Sequence, residues 1–222
     1  MHLFESLGLW SRAPFDSHPI AVEPIVILND ALSIEEIDEL IQRESIDNIV
    51  ISPGPGTPCS PKDAGINLEI FETYKHIPIL GVCFGFQSLC LAHAHASVIR
   101  APEPVHGRIA VVDHCGDALF EGIPSGEDFE VVRYHSLCID TRTLGDSVIP
   151  LAWCTSTGHR AVTVGNGRIE NSHDEGNPGG QKILMAARHG EYPHYGVQFH
   201  PESIATKYGH TLLDNFRRIS LR

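Results

Sequence analysis

The chain has 222 residues, of which 42% are hydrophobic, and a mean hydropathy of −0.06, as in an ordinary soluble globular protein. Sixteen basic residues against 28 acidic ones give a formal net charge of −12, which argues against nucleic-acid and anionic-membrane partners, because both bind basic faces. Since the sequence has no bilayer-length apolar run, no signal peptide and no C-x-x-C pair, it predicts reduced cysteines and a cytoplasmic location.

The first 24 residues form an atypical N-terminal segment, and we place the main domain at residues 25–222. Residues 12–24 contain three prolines, which predict a loop. Residues 2–10 carry apolar side chains at helical spacing, which predicts part of a helix. These side chains are Leu3, Phe4, Leu7 and Trp10.

From residue 25 to about residue 93, strands and helices alternate. Short β-rich runs predict strands at 25–28, 49–51 and 77–82. A capping box at Ser33 begins the first helix, and further helices are predicted at 66–75 and 85–93. This alternation predicts the α/β class, with a flavodoxin-like, open, mostly parallel sheet and flanking helices.

After residue 93 the sequence becomes β-rich, which predicts a small β extension of the same domain. The predicted strands are 98–100, 108–112, 130–133, 148–153, 161–164, 183–187 and 195–199. The polar, glycine-rich stretch 166–181 predicts a surface insertion of no fixed form, and residues 208–219 predict a closing helix. The absence of an internal repeat or a linker indicates one domain.

Cys83 stands between a buried strand and a helix, in the run GVCFG at 81–85. Such a turn holds a side chain above the end of the sheet, where the backbone N–H groups of the new helix favour a thiolate. A free cysteine is also among the residues most often buried in a core. On this stretch alone, a nucleophile and a core residue remain equally open.

Two other predicted strand ends supply the groups that a cysteine nucleophile needs. His200 can act as a base, and Glu202 can accept its other imidazole proton. The loop at 54–56 offers backbone N–H groups for an oxyanion, and the N–H of Phe84 would complete that site. In an open α/β sheet, ligands bind at the carboxyl ends of the strands, where all these groups are predicted to lie.

The same residues resemble the three signatures of class I (triad-type) glutamine amidotransferases, over about residues 25–216. The matching runs are SPGPGTP at 52–58, GVCFGFQ at 81–87 and GVQFHPES at 196–203. The resemblance implies a catalytic triad that hydrolyses the side-chain amide of glutamine through a γ-glutamyl thioester. It implies the triad Cys83, His200 and Glu202, and glutamine- and oxyanion-binding residues Gly54, Pro55, Gly56, Phe84, Gln87, Ser136 and Leu137.

Within this family the chain resembles the branch that supplies ammonia to chorismate-using synthases. Phe86, where most members carry histidine, resembles the fungal p-aminobenzoate synthases, so p-aminobenzoate ranks before anthranilate. The resemblance implies that glutamine is the substrate and that the partner is a chorismate-aminating synthase, as a fused domain or a separate chain. It implies no cofactor in this domain, and Mg²⁺ in the partner synthase.

Metal binding is not expected. His93 and His95 form a His-x-His pair, but no carboxylate or third ligand stands at a supporting spacing. We therefore expect solvated surface histidines.

The first 24 residues depart from the family pattern. Members begin with a strand and an Asp-Asn-x-Asp-Ser-Phe segment, and nothing here matches either. Because that strand is central in a flavodoxin-like sheet, its absence would leave a gap between its neighbours. Two explanations stay open: residues 1–10 are the remnant of a first helix, or residues 1–24 substitute for the strand.

Two other functions stay open. A damaged pocket would leave a catalytically impaired binding module. A different triad hydrolase, such as a γ-glutamyl hydrolase or a cysteine peptidase, could use the same scaffold, although Gln87 and the pair Ser136–Leu137 fit a glutamine pocket better.

Overall fold

The computed structural model describes residues 7–11, 24–156, 162–165, 168–171 and 180–220. Within these ranges, no helix combines the length and apolar character required to cross a lipid bilayer. The strands are β1 (Leu7–Ser11), β2 (Ile25–Ile27), β3 (Ile46–Ile51), β4 (Ile79–Val82), β5 (Val98–His114), β6 (Gly126–Ile139), β7 (Val148–Ser156), β8 (Val162–Gly165), β9 (Arg168–Asn171), β10 (Gln181–His189) and β11 (His194–Val197). The α-helices are α1 (Ile34–Glu44), α2 (Pro61–Ala64), α3 (Asn67–Thr73), α4 (Phe84–Ala94) and α5 (Gly209–Ser220).

Nine strands form one mixed sheet in the order β2-β1-β3-β4-β11-β10-β7-β5-β6. β4 lies between β3 and β11 and pairs with both in parallel. The other neighbours in the sheet pair antiparallel, so the predicted parallel part is limited to these three strands. The α/β class with flanking helices is confirmed, and the β-rich extension continues the same sheet.

The position between β2 and β3 is filled by β1, which pairs antiparallel with both. The helix predicted at residues 2–10 is therefore wrong for residues 7–10, and residues 1–6 lie outside the described residues. The spacing of a few apolar side chains carries no information about a gap between two strands. The N–H and C=O groups of β2 and β3 that face this gap need partners, and a strand between them supplies partners to both. Of the two explanations for the N-terminal segment, the structure favours substitution of the missing strand.

Several predicted elements are present with shifted ends. Ser33 caps α1 with a complete capping box, since its hydroxyl accepts from the N–H of Glu36 and the Glu36 carboxylate accepts from the N–H of Ser33. The predicted runs 98–100 and 108–112 are one strand, β5, because register shifts let pairing with β6 continue past its prolines. The insertion predicted at 166–181 contains β9, which pairs with β8, so the expectation of no fixed form is wrong for residues 168–171, and residues 166–167 and 172–179 lie outside the described residues.

Helices cover both faces of the sheet. Along β4, Ile79 packs with the residues of α1, α3 and α4, whereas Leu80 and Val82 pack with the residues of α5. This alternation follows from the period of two in a strand. Because both faces are covered, every residue of β4 is buried, and the turn that follows it is held from two sides.

Glycines allow α4 to lie directly over the strand ends. A Cβ on Gly85 would lie 2.3 Å from the carbonyl oxygen of Ile51, and one on Gly81 would lie 2.3 Å from the backbone of Gly85. On the other side, a Cβ on Gly196 would approach the Phe86 ring to 2.8 Å. Backbone cannot move out of the way as a flexible side chain can, so the first two positions accept no side chain.

Three histidines pack together at the opposite end of α4. The Nε2 of His93 lies 2.8 Å from the Nδ1 of His194, and the ring centroids of His93 and His189 are 4.6 Å apart. Burial lowers the pKa of His93 to about 3 and that of His194 to about 4, and it also lowers the pKa of His189. His95 is exposed, but the expectation of a solvated surface residue is wrong for His93, because α4 turns that side chain towards β10 and β11.

We expect Gly85→Ala to lower the free energy of unfolding by about 2–3 kcal/mol, because the new methyl group overlaps the Ile51 carbonyl. Gly190→Ala is the matched control, since its Cβ would make ordinary contacts at 3.6 Å and beyond. It should change the free energy of unfolding by no more than about 0.5 kcal/mol. Urea denaturation measures both, and equal effects would contradict the close approach of α4 to β3.

We also expect the free energy of unfolding to fall as the pH drops from about 6.5 towards 4. The buried histidines are neutral in the folded state, whereas in the unfolded chain they bind protons below about pH 6.5. Their stabilising contribution is therefore present above that pH and is lost below it. His93→Leu should make this pH dependence shallower, and His95→Asn, a change of the exposed neighbour, should leave it unaltered.

Candidate active site

Three parallel strands bring the predicted site segments to one edge of the sheet. In the register of the pairs, Ile51 lies opposite Gly81, and Val82 lies opposite Val197. The residues that follow β3, β4 and β11 therefore emerge side by side. They are the loop at 52–58, Cys83 and the segment 198–203.

Cys83 is the first residue after β4 and has a positive φ of 52°, with ψ −95°. A residue other than glycine rarely adopts a positive φ unless the surrounding structure holds its backbone in that conformation. The Cys83 N–H donates to the Val197 carbonyl at 2.7 Å, and its own carbonyl accepts from the N–H of Gln87 at 3.1 Å. A cysteine that only fills the core needs no strained turn. This geometry therefore favours the interpretation of Cys83 as a nucleophile over its interpretation as a core residue.

His200 and Glu202 form the second part of the site. The Nδ1 of His200 lies 2.6 Å from the Oε1 of Glu202, and 14% of the His200 side chain is exposed against 52% for Glu202. Burial lowers the pKa of His200, but the hydrogen-bonding groups and charges of Cys83 and Glu202 outweigh it and raise the pKa to about 10. The Nε2 of His200 is buried and has no hydrogen-bond partner among the described residues, and Cys83 is one of the two groups that raise the pKa of this ring.

Thr206 fixes the backbone that carries His200. Its hydroxyl donates to the His200 carbonyl at 2.6 Å and accepts from the N–H of Val132 at 3.0 Å. The His200 N–H donates to the Val132 carbonyl at 3.1 Å. The segment after β11 is thereby attached to β6, which limits how far the imidazole can move from the sulfur.

The glycine-rich loop lies against Phe84, the residue after the cysteine. A Cβ on Gly54 would touch the Phe84 ring at 3.9 Å. Gly56 has φ +83°, and the Asp63 carboxylate beside it accepts from the N–H of Thr57 at 3.1 Å. The loop, including Pro55, and Phe84 line a small cavity of about 20 Å³, which has room for one water molecule.

The side chain of Gln87 makes hydrogen bonds to β6 and to Gln198, which in turn contacts the Cys83 sulfur. Its Nε2 donates to the Leu137 carbonyl at 3.3 Å and to the Oε1 of Gln198 at 3.1 Å. The Nε2 of Gln198 in turn lies 3.5 Å from the Cys83 sulfur. Ser136, next to Leu137 on β6, is exposed. The structure thus joins Gln87 and Leu137 to the cysteine, whereas Ser136 is at the surface.

Sequence reasoning missed four polar residues of this site, which are Asp63, His135, Gln198 and Thr206. Gln198 and Thr206 flank the HPES run, so their nearness to His200 was available from the sequence. Their roles were not, because each role depends on a partner far away in the chain. The Gln198 side chain, for example, meets Cys83, 115 residues away.

Several known proteins are similar to this chain. The family model for class I glutamine amidotransferases matches residues 18–172 and 169–219. The chain is 44% identical to aminodeoxychorismate synthase of Arabidopsis thaliana, over 90% of this chain and 25% of that protein. It is 40% identical to anthranilate synthase component II of Haloarcula marismortui, over 85% of this chain and 81% of that protein.

Solved structures share the fold. A crystal structure of a glutamine amidotransferase from Thermotoga maritima superposes with a TM-score of 0.51 at 14% identity, over 86% of this chain and 77% of that chain. A crystal structure from Thermoplasma acidophilum, described as a GMP synthase component, superposes with a TM-score of 0.63 at 24% identity, over 88% of this chain and 79% of that chain. Among the sequence relatives, the chain spans only about a quarter of the aminodeoxychorismate synthases of Arabidopsis thaliana (25%) and rice (26%).

We expect Glu202→Gln to lower the pKa of His200 from about 10, because the neutral amide no longer stabilises the imidazolium. NMR titration of the His200 ring protons measures the change. Glu130→Gln is the control, since it removes a partly exposed carboxylate that pairs with Lys207 rather than with His200. An unchanged His200 titration in Glu202→Gln would contradict the role of this ion pair.

Proposed function

The chain belongs to the class I glutamine amidotransferase family, and on that premise we propose that it releases ammonia from glutamine for a chorismate-aminating synthase. The family resemblance predicted from the three motifs is thereby confirmed, as is the prediction of an enzyme family that hydrolyses glutamine. The catalytic and binding residues named from the sequence stay predictions. The observation that carries the proposal is the position of Cys83, held in a strained turn next to His200.

In the first half of the reaction, the Cys83 thiolate attacks the side-chain amide carbon of glutamine. The carbonyl oxygen becomes an oxyanion, and we infer that the N–H of Phe84 and the backbone of the loop at 54–56 donate to it, because Phe84 and residues 54–55 of that loop line one small cavity. His200 carries the proton that the leaving nitrogen needs, because its pKa is raised to about 10. The C–N bond breaks, ammonia leaves, and a γ-glutamyl thioester remains on the sulfur.

In the second half, water hydrolyses the thioester. Once the sulfur is acylated it carries no charge, so one of the groups that raise the pKa of His200 is lost. The neutral imidazole can then take a proton from the attacking water, while Glu202 holds the opposite ring nitrogen. Glutamate leaves, the thiolate is restored, and the protonated His200 is ready for the next turnover.

Selection for glutamine requires groups that recognise its amino-acid end. Both N–H groups of Gln87 are engaged, so its carbonyl oxygen is the group that can accept from a ligand. Ser136 is exposed on β6, next to Leu137, whose carbonyl accepts from Gln87. These residues support glutamine over a γ-glutamyl peptide or a protein substrate.

The partner is inferred from the relatives. The 44% identity to a plant aminodeoxychorismate synthase ranks 4-amino-4-deoxychorismate, the precursor of p-aminobenzoate and folate, as the first destination of the ammonia. The 40% identity to an anthranilate synthase component II keeps anthranilate as the second. We further propose a cytoplasmic location, and Mg²⁺ only in the synthase partner.

A catalytically impaired binding module is less well supported. That alternative depended on a gap left by the missing first strand, and β1 pairs with the strands on both sides of that position. The base of the loop at 52–58 is consequently attached to a continuous sheet.

We expect Cys83→Ser to lower glutamine hydrolysis by about 10³-fold or more, because the hydroxyl is a much weaker nucleophile at neutral pH. Glutamate release from glutamine measures the effect. Cys115→Ser, which changes an exposed cysteine, is the control and should keep the wild-type rate. In the complete synthase, Cys83→Ser should still make product from added ammonia.

Two results would contradict the proposal. Retention of glutaminase activity in Cys83→Ser would exclude the thioester, and loss of the ammonia-dependent reaction as well would indicate a structural role. Turnover of γ-glutamyl peptides without turnover of free glutamine would favour the alternative hydrolase.

A further inference from the structure

Gln198 is a fully buried polar side chain at the end of β11, with hydrogen-bond partners at both ends of its amide. Its backbone N–H donates to the Met185 carbonyl at 2.8 Å, which fixes its position beside β10. Its side chain lies between Gln87 and the Cys83 sulfur, at 3.1 Å and 3.5 Å. A buried amide must satisfy both its oxygen and its nitrogen, so its orientation follows from its neighbours.

The orientation of the Gln198 amide can be derived from the Leu137 carbonyl, because a carbonyl oxygen can only accept hydrogen bonds. Gln87 must therefore turn its Nε2 towards Leu137, and the same Nε2 faces Gln198. Gln198 must present its Oε1 to this donor, which leaves its Nε2 facing Cys83. For an isolated side-chain amide, the positions of the oxygen and the nitrogen can be interchanged. Here the sequence of hydrogen-bond donors and acceptors from Leu137 to Cys83 permits only one assignment.

His135 fixes the Leu137 end of this chain. Burial, followed by the charge of Arg133, lowers the pKa of His135 to about 4, so the ring is neutral at physiological pH. The Nε–H of Arg133 donates to the Nε2 of His135 at 3.2 Å, so the Nδ1 carries the proton and donates to the Leu137 carbonyl at 2.8 Å. The Leu137 carbonyl thus accepts from His135 and from Gln87, and it is held in one orientation.

We propose that the side-chain amide of Gln198 is a catalytic hydrogen-bond donor to the Cys83 sulfur, and that it also positions Gln87. This role adds a residue to the proposed glutaminase site and rests on that function only for the identity of the nucleophile.

The donor acts most strongly when the sulfur is charged. A hydrogen bond from a neutral N–H to a thiolate is charge-assisted, and it gains strength in a site from which water is excluded. When the sulfur attacks the amide carbon and becomes a neutral thioester, this bond weakens. When water later breaks the C–S bond, the electron pair returns to the sulfur, and the N–H of Gln198 stabilises the departing thiolate.

The test is the pH dependence of Cys83 alkylation by iodoacetamide in wild type and in Gln198→Met. Methionine keeps the length of the buried side chain but cannot donate, so the midpoint of the profile should rise by about one pH unit. At pH values below both midpoints, the alkylation rate of the variant should be roughly tenfold lower than that of wild type, since only the thiolate reacts. Mass spectrometry of the Cys83 peptide separates this signal from the exposed Cys59 and Cys115.

Ser88→Ala is the matched control, because Ser88 is fully buried in the same helix as Gln87 but donates to the Phe84 carbonyl. Its alkylation midpoint should equal that of wild type. A purely structural role for Gln198 would change the thermal stability of Gln198→Met without a change in its midpoint, and that result would overturn the proposal.

A second measurement does not depend on the folding of the variant. In the wild-type protein, the side-chain amide proton signals of Gln198 should shift when iodoacetamide alkylates Cys83, and absence of a shift would overturn the proposal. Neither readout uses glutamine. A chain that fails to hydrolyse glutamine but shows both effects would refute the proposed function and leave the role of Gln198 intact.

Discussion

The strained turn at Cys83 is the constraint on which the rest of the site depends. A positive φ is unfavourable for a cysteine. Cys83 keeps this conformation because β4 before it and α4 after it are held in place by their own packing contacts. Gly81 and Gly85 allow α4 to lie against the ends of β3 and β4, where any side chain would collide with backbone. The sulfur is therefore directed at the edge of the sheet by packing rather than by its own preference.

Two groups of histidines show how burial and charge together decide the ionisation state. His93 is half-buried and His194 is fully buried, both beside other neutral rings, and their pKa values are lowered to about 3 and about 4. His200 is also largely buried, yet Cys83 and Glu202 raise its pKa to about 10. The same residue type is thus a neutral ring at one end of α4 and has a raised pKa at the other.

The N-terminal segment shows that a sheet can keep its layout with a strand of reversed direction. β1 runs antiparallel between β2 and β3, where a flavodoxin-like sheet has a parallel strand. Either direction satisfies the rows of N–H and C=O groups on both neighbours. The loop that begins after Ile51 is therefore supported from both sides, although the first residues match no family segment.

The sequence by itself determined the α/β class, the start of α1 at Ser33 and the family, because capping boxes, strand-length apolar runs and signature motifs are local patterns. It also placed Cys83 and His200 at strand ends. Only the tertiary structure decided that residues 7–11 form a strand, that His93 is packed among other rings, and that Gln198 donates to the sulfur. These features depend on contacts between segments that are distant in sequence, and the spacing of residues along one segment carries no information about them.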